Sequence, residues 1–317
     1  MMDWSDRHCR YFWRLLSRHA RLYTEMVTTG ALLHGDADHH LAFDACEHPI
    51  ALQLGGSDPA DLARAAQLGA HYGYDEINLN VGCPSDRVQR GRFGASLMYE
   101  PDLVAQCMDA MRAVVDIPVT IKCRIGVDDH DSYEALLHFV ETNQRAGCQT
   151  FVIHARKAIL KGLSPRQNRE VPPLQYPIVH QLKAAFPELK IILNGGLKTI
   201  DDCQAQLALV DGVMLGREAY QNPWLLSQVD SVVFGDTGNT FATAMDVAIA
   251  YLPYLENELA RGTPLHHMTR HVLGLFAGQP GARNFRRHLS ENANKPGADI
   301  AVFEGALAKI GHARPVL

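Results

Sequence analysis

"KIILNGGLKTIDDCQAQLALVDGVMLGR", Lys190–Arg217, decides the fold. KIILN is a short β-branched run that stops at Asn194-Gly195-Gly196, and Thr199 then stands as a start signal before an apolar-periodic stretch. GVMLGR, from Gly212, is a second apolar run ending in a glycine and an arginine. Strand, helix and strand in that order make a βα unit, and such units build parallel sheets. The unit recurs toward the N-terminus, in LYTEMV from Leu22, IALQLGG from Ile50, EINLNV from Glu76, PVTIKCRIG from Pro118 and TFVIHA from Thr150. Ser57 and Asp58 before Pro59, and Glu100 before Pro101, mark helix starts between them. The expected fold class is α/β, a TIM (β/α)8 barrel. Seven strands are visible where such a barrel closes with eight. The first recognisable element is a helix from about Asp6 to His19, with Cys9, Phe12, Trp13 and Leu16 on its apolar face, so the first strand is expected to be missing from this chain.

The pattern changes after residue 233. Phe234–Thr240 reads as a linker, and helical stretches around Ala244–Arg261, Met268–Phe276, Ala282–Asn292 and Ile300–Ile310 follow without a strand signal. The expected division is a barrel domain over 1–233 and an all-helical domain over 234–317. A chain of 317 residues with 47% hydrophobic residues can bury a large core. No run of about 18 apolar residues and no leader pattern occurs, so the expectation is a cytoplasmic protein without membrane contact. The seven cysteines are scattered and never form a C-x-x-C pair, which disfavours disulfides and zinc ribbons. His266, His267 and His271 have helical spacing but no partner ligand in the sequence, so no metal is expected. The net charge of −5 announces no nucleic-acid partner, and any such partner must be held by a local patch.

In a parallel barrel the loops at the C-terminal strand ends form the pocket. Those ends carry Gln53, Asn80 and Cys83, Lys122, His154, Asn194-Gly195-Gly196 and Gly216-Arg217. Polar side chains at alternate positions of apolar strands face a pocket more cheaply than a core. NGG and GR at consecutive strand ends have the character of a phosphate site, in which glycine N–H groups, a helix N-terminus and the Arg217 fork all favour an anion. A monophosphate such as that of flavin mononucleotide (FMN) suits it. A strand-end glycine is also a common turn former, and only the pairing of the two motifs with Lys122 and His154 argues otherwise.

NVGCPSDRV, TIKCRIG, VIHARKA, LNGG and LGREAYQNP together resemble the motifs of the tRNA-dihydrouridine synthases. GLSPRQNREVPPL and PGARNFRRHLSENA resemble the A subfamily. The likeness spans nearly the whole chain. It implies an FMN-bound barrel with a helical C-terminal domain that reduces uridines of the tRNA D-loop (positions 20/20a), NADPH reducing the flavin, in a monomer. It implies that Met1, Met2, Gln53, Lys122, His154, Asn194, Gly195, Gly196, Gly216 and Arg217 bind the cofactor, Met1 and Met2 being the remainder of an apolar strand end. It implies that Asn80, Arg166, Gln167, Arg283 and Arg286 bind tRNA, with Gln167 replacing an acidic residue of some members. Cys83 receives the proton-donor role. Reducing the 5,6 double bond of uracil takes a hydride at C6 and a proton at C5, and a free thiol with a pKa of about 8.5 is mostly protonated at neutral pH. Cys123, on the other side of its strand by pleat alternation, is expected to be inert. Three arginine and lysine clusters, Arg87, Arg90 and Arg92, then Lys157, Lys161, Arg166 and Arg169, then Arg283, Arg286 and Arg287, read as solvated faces singly and as phosphate contacts together. Two other readings stay open: a flavin barrel acting on a small pyrimidine or dihydroorotate, and a flavin-free RNA-binding protein.

Overall fold

The computed structural model describes residues 1–238 and 241–311, apart from the side chain of Arg87. Asn239 and Thr240 of the expected linker, and residues 312–317, lie outside the described residues. Two compact units are present, the first made of Met1–Met2, Arg21–Phe43 and His48–Gly216.

All seven expected strands occur in it, as one parallel sheet in sequence order. They are β1 Leu22–Thr28, β2 Ile50–Gly55, β3 Glu76–Val81, β4 Val119–Arg124, β5 Thr150–His154, β6 Lys190–Asn194 and β7 Gly212–Met214. Helices Pro59–His71, Pro101–Arg112, Tyr133–Arg145, Tyr176–Ala185 and Ile200–Leu207 follow β2 to β6 in turn. This is the β/α repeat of a TIM barrel, with β1 and β7 as the bordering strands. Asp58 and Thr199 cap their helices as read, whereas Glu100 precedes Pro101 without a side-chain cap. Asp58 accepts from Asp61 N ahead of Pro59, and Thr199 and Asp202 form a reciprocal capping box.

The pleat divides the sheet into two chemistries. Leu52, Ile77, Leu79, Ile121, Phe151 and Leu193 are fully buried on the helix-covered face. A Cβ added to Gly69 would lie 2.7 Å from both Ile77 Cδ1 and Leu52 Cδ2, so the helix Pro59–His71 rests directly on that face. The opposite face is polar in registered rows. Gln53 pairs with Asn78 and Asn78 with Thr120, Asn80 pairs with Lys122, and Arg124 pairs with His154, which pairs with Asn194.

The second unit comprises Asp3–Ala20, Asp44–Glu47 and the chain from Arg217 onward. The expected cut after residue 233 therefore falls inside this unit. The early helix, observed over Arg7–Leu16, also belongs to it. Its apolar face is as read, since Cys9, Phe12, Trp13 and Leu16 are buried. That face meets helix Ala244–Ala260, with Phe12 and Tyr251 ring centroids 5.5 Å apart and Tyr11 stacked on Tyr254 at 3.9 Å. Helices Ala282–Asn292 and Ile300–Leu307 follow expectation. The stretch Met268–Phe276 does not, because a short helix ends at Thr269 and turns follow. Gly274 lies in these turns, where a Cβ would sit 2.3 Å from Gln221 O and the backbones pass closely. Among the described residues no helix is long and apolar enough to cross a membrane.

Candidate active site

β3 ends at Val81, and Cys83 follows on a loop fixed from both sides. Its N–H donates to Asn80 Oδ1 at 2.9 Å, and its carbonyl accepts from Ala95 N at 2.9 Å. Gly94, at φ +71, permits that second contact, because a Cβ there would lie 2.6 Å from Cys83 O. Arg124 Nε donates to Gly82 O at 2.9 Å and its Nη1 to the carbonyls of Lys157 and Asn168 at 3.1 and 3.0 Å. One buried guanidinium thus ties the β3 loop to the β5 loop. Gln89 adds a second tie, donating to Pro84 O and Leu160 O. The thiol is half-buried, with Ser85 Oγ 3.5 Å from Sγ. Cys123 is fully buried on the opposite face, where burial pushes its thiol up to about 12. Sequence reasoning missed Arg124 and Gln89. The alternation that marks Lys122 also marks Arg124 two residues on, whereas nothing local distinguishes Gln89.

Lys122 lies on the rung of Asn80. Burial, with the charge of Arg124 adding to it, pushes its ammonium down to about 8. His154 is held well below the usual imidazole range by burial and then by Arg124 and Lys122, so it is neutral at physiological pH. Its Nδ1 is buried with no hydrogen-bond partner among the described residues. Gly195 and Gly196 take φ +112 and +76, and a Cβ on Gly195 would come 3.1 Å from His154 Nε2. The double glycine thus forms a cradle beside the imidazole that only residues without side chains leave open. Asn194, expected to face a ligand, spends its Nδ2 on Met214 O at 2.7 Å and so ties β6 to β7. Gln53 is nine-tenths buried and bonded on both ends of its amide, to Asn78 and Asn80. Met1 lies with its sulfur 3.6 Å from where a Cβ on Gly216 would be, and Met2 is exposed.

Arg166 is exposed on the β5 loop, 3.6 Å from Glu170. Gln167 is used locally, its Oε1 accepting from Ser164 N and its own N–H donating to Ser164 Oγ. Arg217 opens the helix Arg217–Gln221 in the second unit. Arg283 and Arg286 are exposed on the helix Ala282–Asn292, where a spacing of three puts them on one face.

Three comparisons bear on this arrangement. The family model described as dihydrouridine synthase matches residues 1–310. A tRNA-dihydrouridine(20/20a) synthase of Vibrio cholerae serotype O1 is 61% identical over 311 residues, covering 98% of this chain and 94% of its own. The protein of the same description from Escherichia coli strain K12 is 60% identical over 315 residues, covering 99% of this chain and 91% of its own. Among solved structures, a 2-naphthoyl-CoA reductase bound to 2-naphthoyl-CoA aligns with 72% of this chain and 47% of its own, at TM-score 0.54 and 12% identity, which speaks to the fold alone.

Proposed function

The chain belongs to the dihydrouridine synthase family, and on that premise we propose that it reduces uridines of the tRNA D-loop, at positions 20 and 20a, to 5,6-dihydrouridine. The observation that carries this reading is the polar face of the sheet. A thiol held by its own backbone stands at the end of β3, on the next strand to a half-buried lysine whose ammonium is pushed down.

The residues present fit a flavin mononucleotide. The glycine cradle at Gly195-Gly196 and the unpartnered Nδ1 of His154 suit an anionic, acceptor-rich group. When bound, the flavin supplies the hydride that uracil takes at C6, after NADPH has reduced it. Lys122 would stand as the fixed cation beside the ring, with Gln53, Gly216 and Arg217 as further contacts. Asn80 would orient the uracil, and Cys83 Sγ would give its proton to C5, completing the saturation of the double bond. Reaching a base inside folded tRNA means extruding it at a cost of a few kcal/mol, so contacts elsewhere must offset that. Arg166, Gln167, Arg283 and Arg286 would supply them. Replacing Arg283 and Arg286 with alanine should lower the slope of log affinity against log salt by about 1.4 to 1.8, as expected for two phosphate contacts. An unchanged slope would remove both from the docking surface.

The lowered value for Lys122 makes a pH prediction. Its folded pKa lies below that of free lysine, so its charge is present below about 8 and lost as pH rises through that value. Flavin affinity, read by fluorescence titration of flavin-free protein, should be flat below pH 8 and then weaken toward about tenfold per unit. Lys122→Met should bind more weakly and lack the break. A wild-type profile without the break would place Lys122 away from the flavin.

The function itself is tested by NADPH oxidation. It should require unmodified tRNA and ignore free pyrimidines, and mass analysis of tRNA from a deletion strain should show uridine where dihydrouridine stood. Oxidation driven by free pyrimidines would favour a small-molecule dehydrogenase.

A further inference from the structure

Five buried side chains on β2, β3 and β4 form one hydrogen-bonded chain beneath the Cys83 loop. Thr120 Oγ1 donates to Glu76 Oε1 at 2.7 Å and accepts from Asn78 Nδ2 at 2.8 Å. Asn78 Oδ1 accepts from Gln53 Nε2 at 2.9 Å, and Gln53 Oε1 accepts from Asn80 Nδ2 at 2.9 Å. Asn80 Oδ1 ends the chain by accepting from the backbone N–H groups of Gly82 and Cys83 at 3.1 and 2.9 Å. Each of the five side-chain-bearing residues is at most 9% exposed. Every donor points toward Glu76.

Both ends force that direction. An ionised carboxylate only accepts, so it takes the single proton of Thr120, whose other possible acceptor, Ile77 O, is 3.5 Å away. Thr120 oxygen must then accept, which makes Asn78 present its NH2 on that side and its carbonyl to Gln53. The same logic passes through Gln53 to Asn80. At the far end two backbone N–H groups can only donate, and they require the oxygen of Asn80. A flipped amide at any link would set two donors or two acceptors against each other in a dry interior, where an unsatisfied group is costly. Tyr23 OH at 2.9 Å and Arg21 Nη1 at 3.1 Å also donate to the Glu76 carboxylate.

We propose that Glu76 and Thr120 are positioning residues for the uridine site, an inference that rests on the function proposed above. They set the orientation of the Gln53 and Asn80 amides from the base of the strands. Each amide nitrogen spends one hydrogen inside the chain and keeps the other for a carbonyl acceptor, and Asn80 oxygen is reserved for the Cys83 loop. Without the acceptor at Glu76, the Gln53 and Asn80 amides are held from the loop end alone, and the N–H of Cys83 opens more easily.

Two substitutions at one position separate this role from packing. Thr120→Val keeps the volume and removes the hydroxyl, whereas Thr120→Ser keeps the hydroxyl and opens a methyl-sized space. With Thr120→Val, hydrogen exchange at the amides of Gly82 and Cys83 should speed up about tenfold, and kcat/KM for tRNA should fall by a similar factor. Thr120→Ser should match wild type in both. Glu76→Gln should reproduce the valine variant, and the double variant should be no worse than either alone, because one chain is broken once. The opposite order, with serine damaged and valine intact, would show a packing role and overturn the proposal, as would wild-type exchange in the valine variant. Exchange is read on the whole protein without turnover. If tRNA proved not to be the substrate, the proposed function would fail while the exchange result still judged the chain.

Discussion

Cys83→Ala should lower uridine reduction about 100- to 10,000-fold, the usual contribution of a positioned acid, while flavin content and flavin reduction by NADPH stay at wild-type levels. The division follows from the geometry. The Cys83 backbone is held by Asn80 Oδ1 and by Ala95 N, and neither contact uses the side chain, so alanine preserves the loop. What alanine removes is the one transferable proton on that residue. Single-turnover experiments should therefore show a flavin that is reduced at the normal rate and then reoxidised very slowly by tRNA. Cys123→Ala is the control, because that thiol is fully buried on the helix-covered face of β4. It should cost some stability and leave turnover nearly unchanged. Wild-type turnover in Cys83→Ala would exclude the thiol as proton donor. An equal loss in both variants would point to general damage instead.

The largest expected loss of stability comes from a buried ion pair of the second unit. Glu47→Ala should destabilise the second unit by about 3–5 kcal/mol, the range for removing one partner of a buried ion pair. Arg10 and Glu47 are 3% and 1% exposed, with Nε and Oε2 2.6 Å apart. Glu47 Oε1 also accepts from Asp44 N, and its carbonyl accepts from Arg14 Nη2, so the short segment Asp44–Glu47 is sewn to the helix Arg7–Leu16. Burial pushes the Glu47 carboxyl up although Arg10 pulls it the other way, which is the desolvation cost such a pair carries. Alanine would take away the carboxylate bonded to the buried Nε of Arg10. Replacing both residues, as Arg10→Met with Glu47→Leu, should recover most of the loss, because neither buried charge then remains. Denaturant unfolding of the three variants measures this, and a double variant no better than Glu47→Ala would show that the pair is worth more than its burial costs.

Local pattern was enough for the elements and for most of the candidate site. The seven strands are legible because a buried parallel strand is a short apolar run between turn formers, and the capping residues Asp58 and Thr199 announce their helices within a turn. The strand-end residues could be picked out because period-two alternation places polar groups on one face whatever the rest of the chain does. Asn194 shows the limit of that logic: the right face was legible, but its partner, Met214 O on β7, was not.

The sequence by itself determined the βα repeat, the polar face, and the loop that presents Cys83, because each depends on neighbours a few residues apart. Tertiary structure alone decided which residues complete one another. The chain from Glu76 to Cys83 exists only through strand register, which brings Gln53 to Asn78 across 25 positions and Asn78 to Thr120 across 42. The membership of Arg7–Leu16 in the second unit was likewise hidden, since its partners Tyr251, Tyr254 and Glu258 lie more than 200 residues away. Periodicity tells which face of a helix is buried, but the surface that buries it is chosen by shape and charge matching in the folded chain.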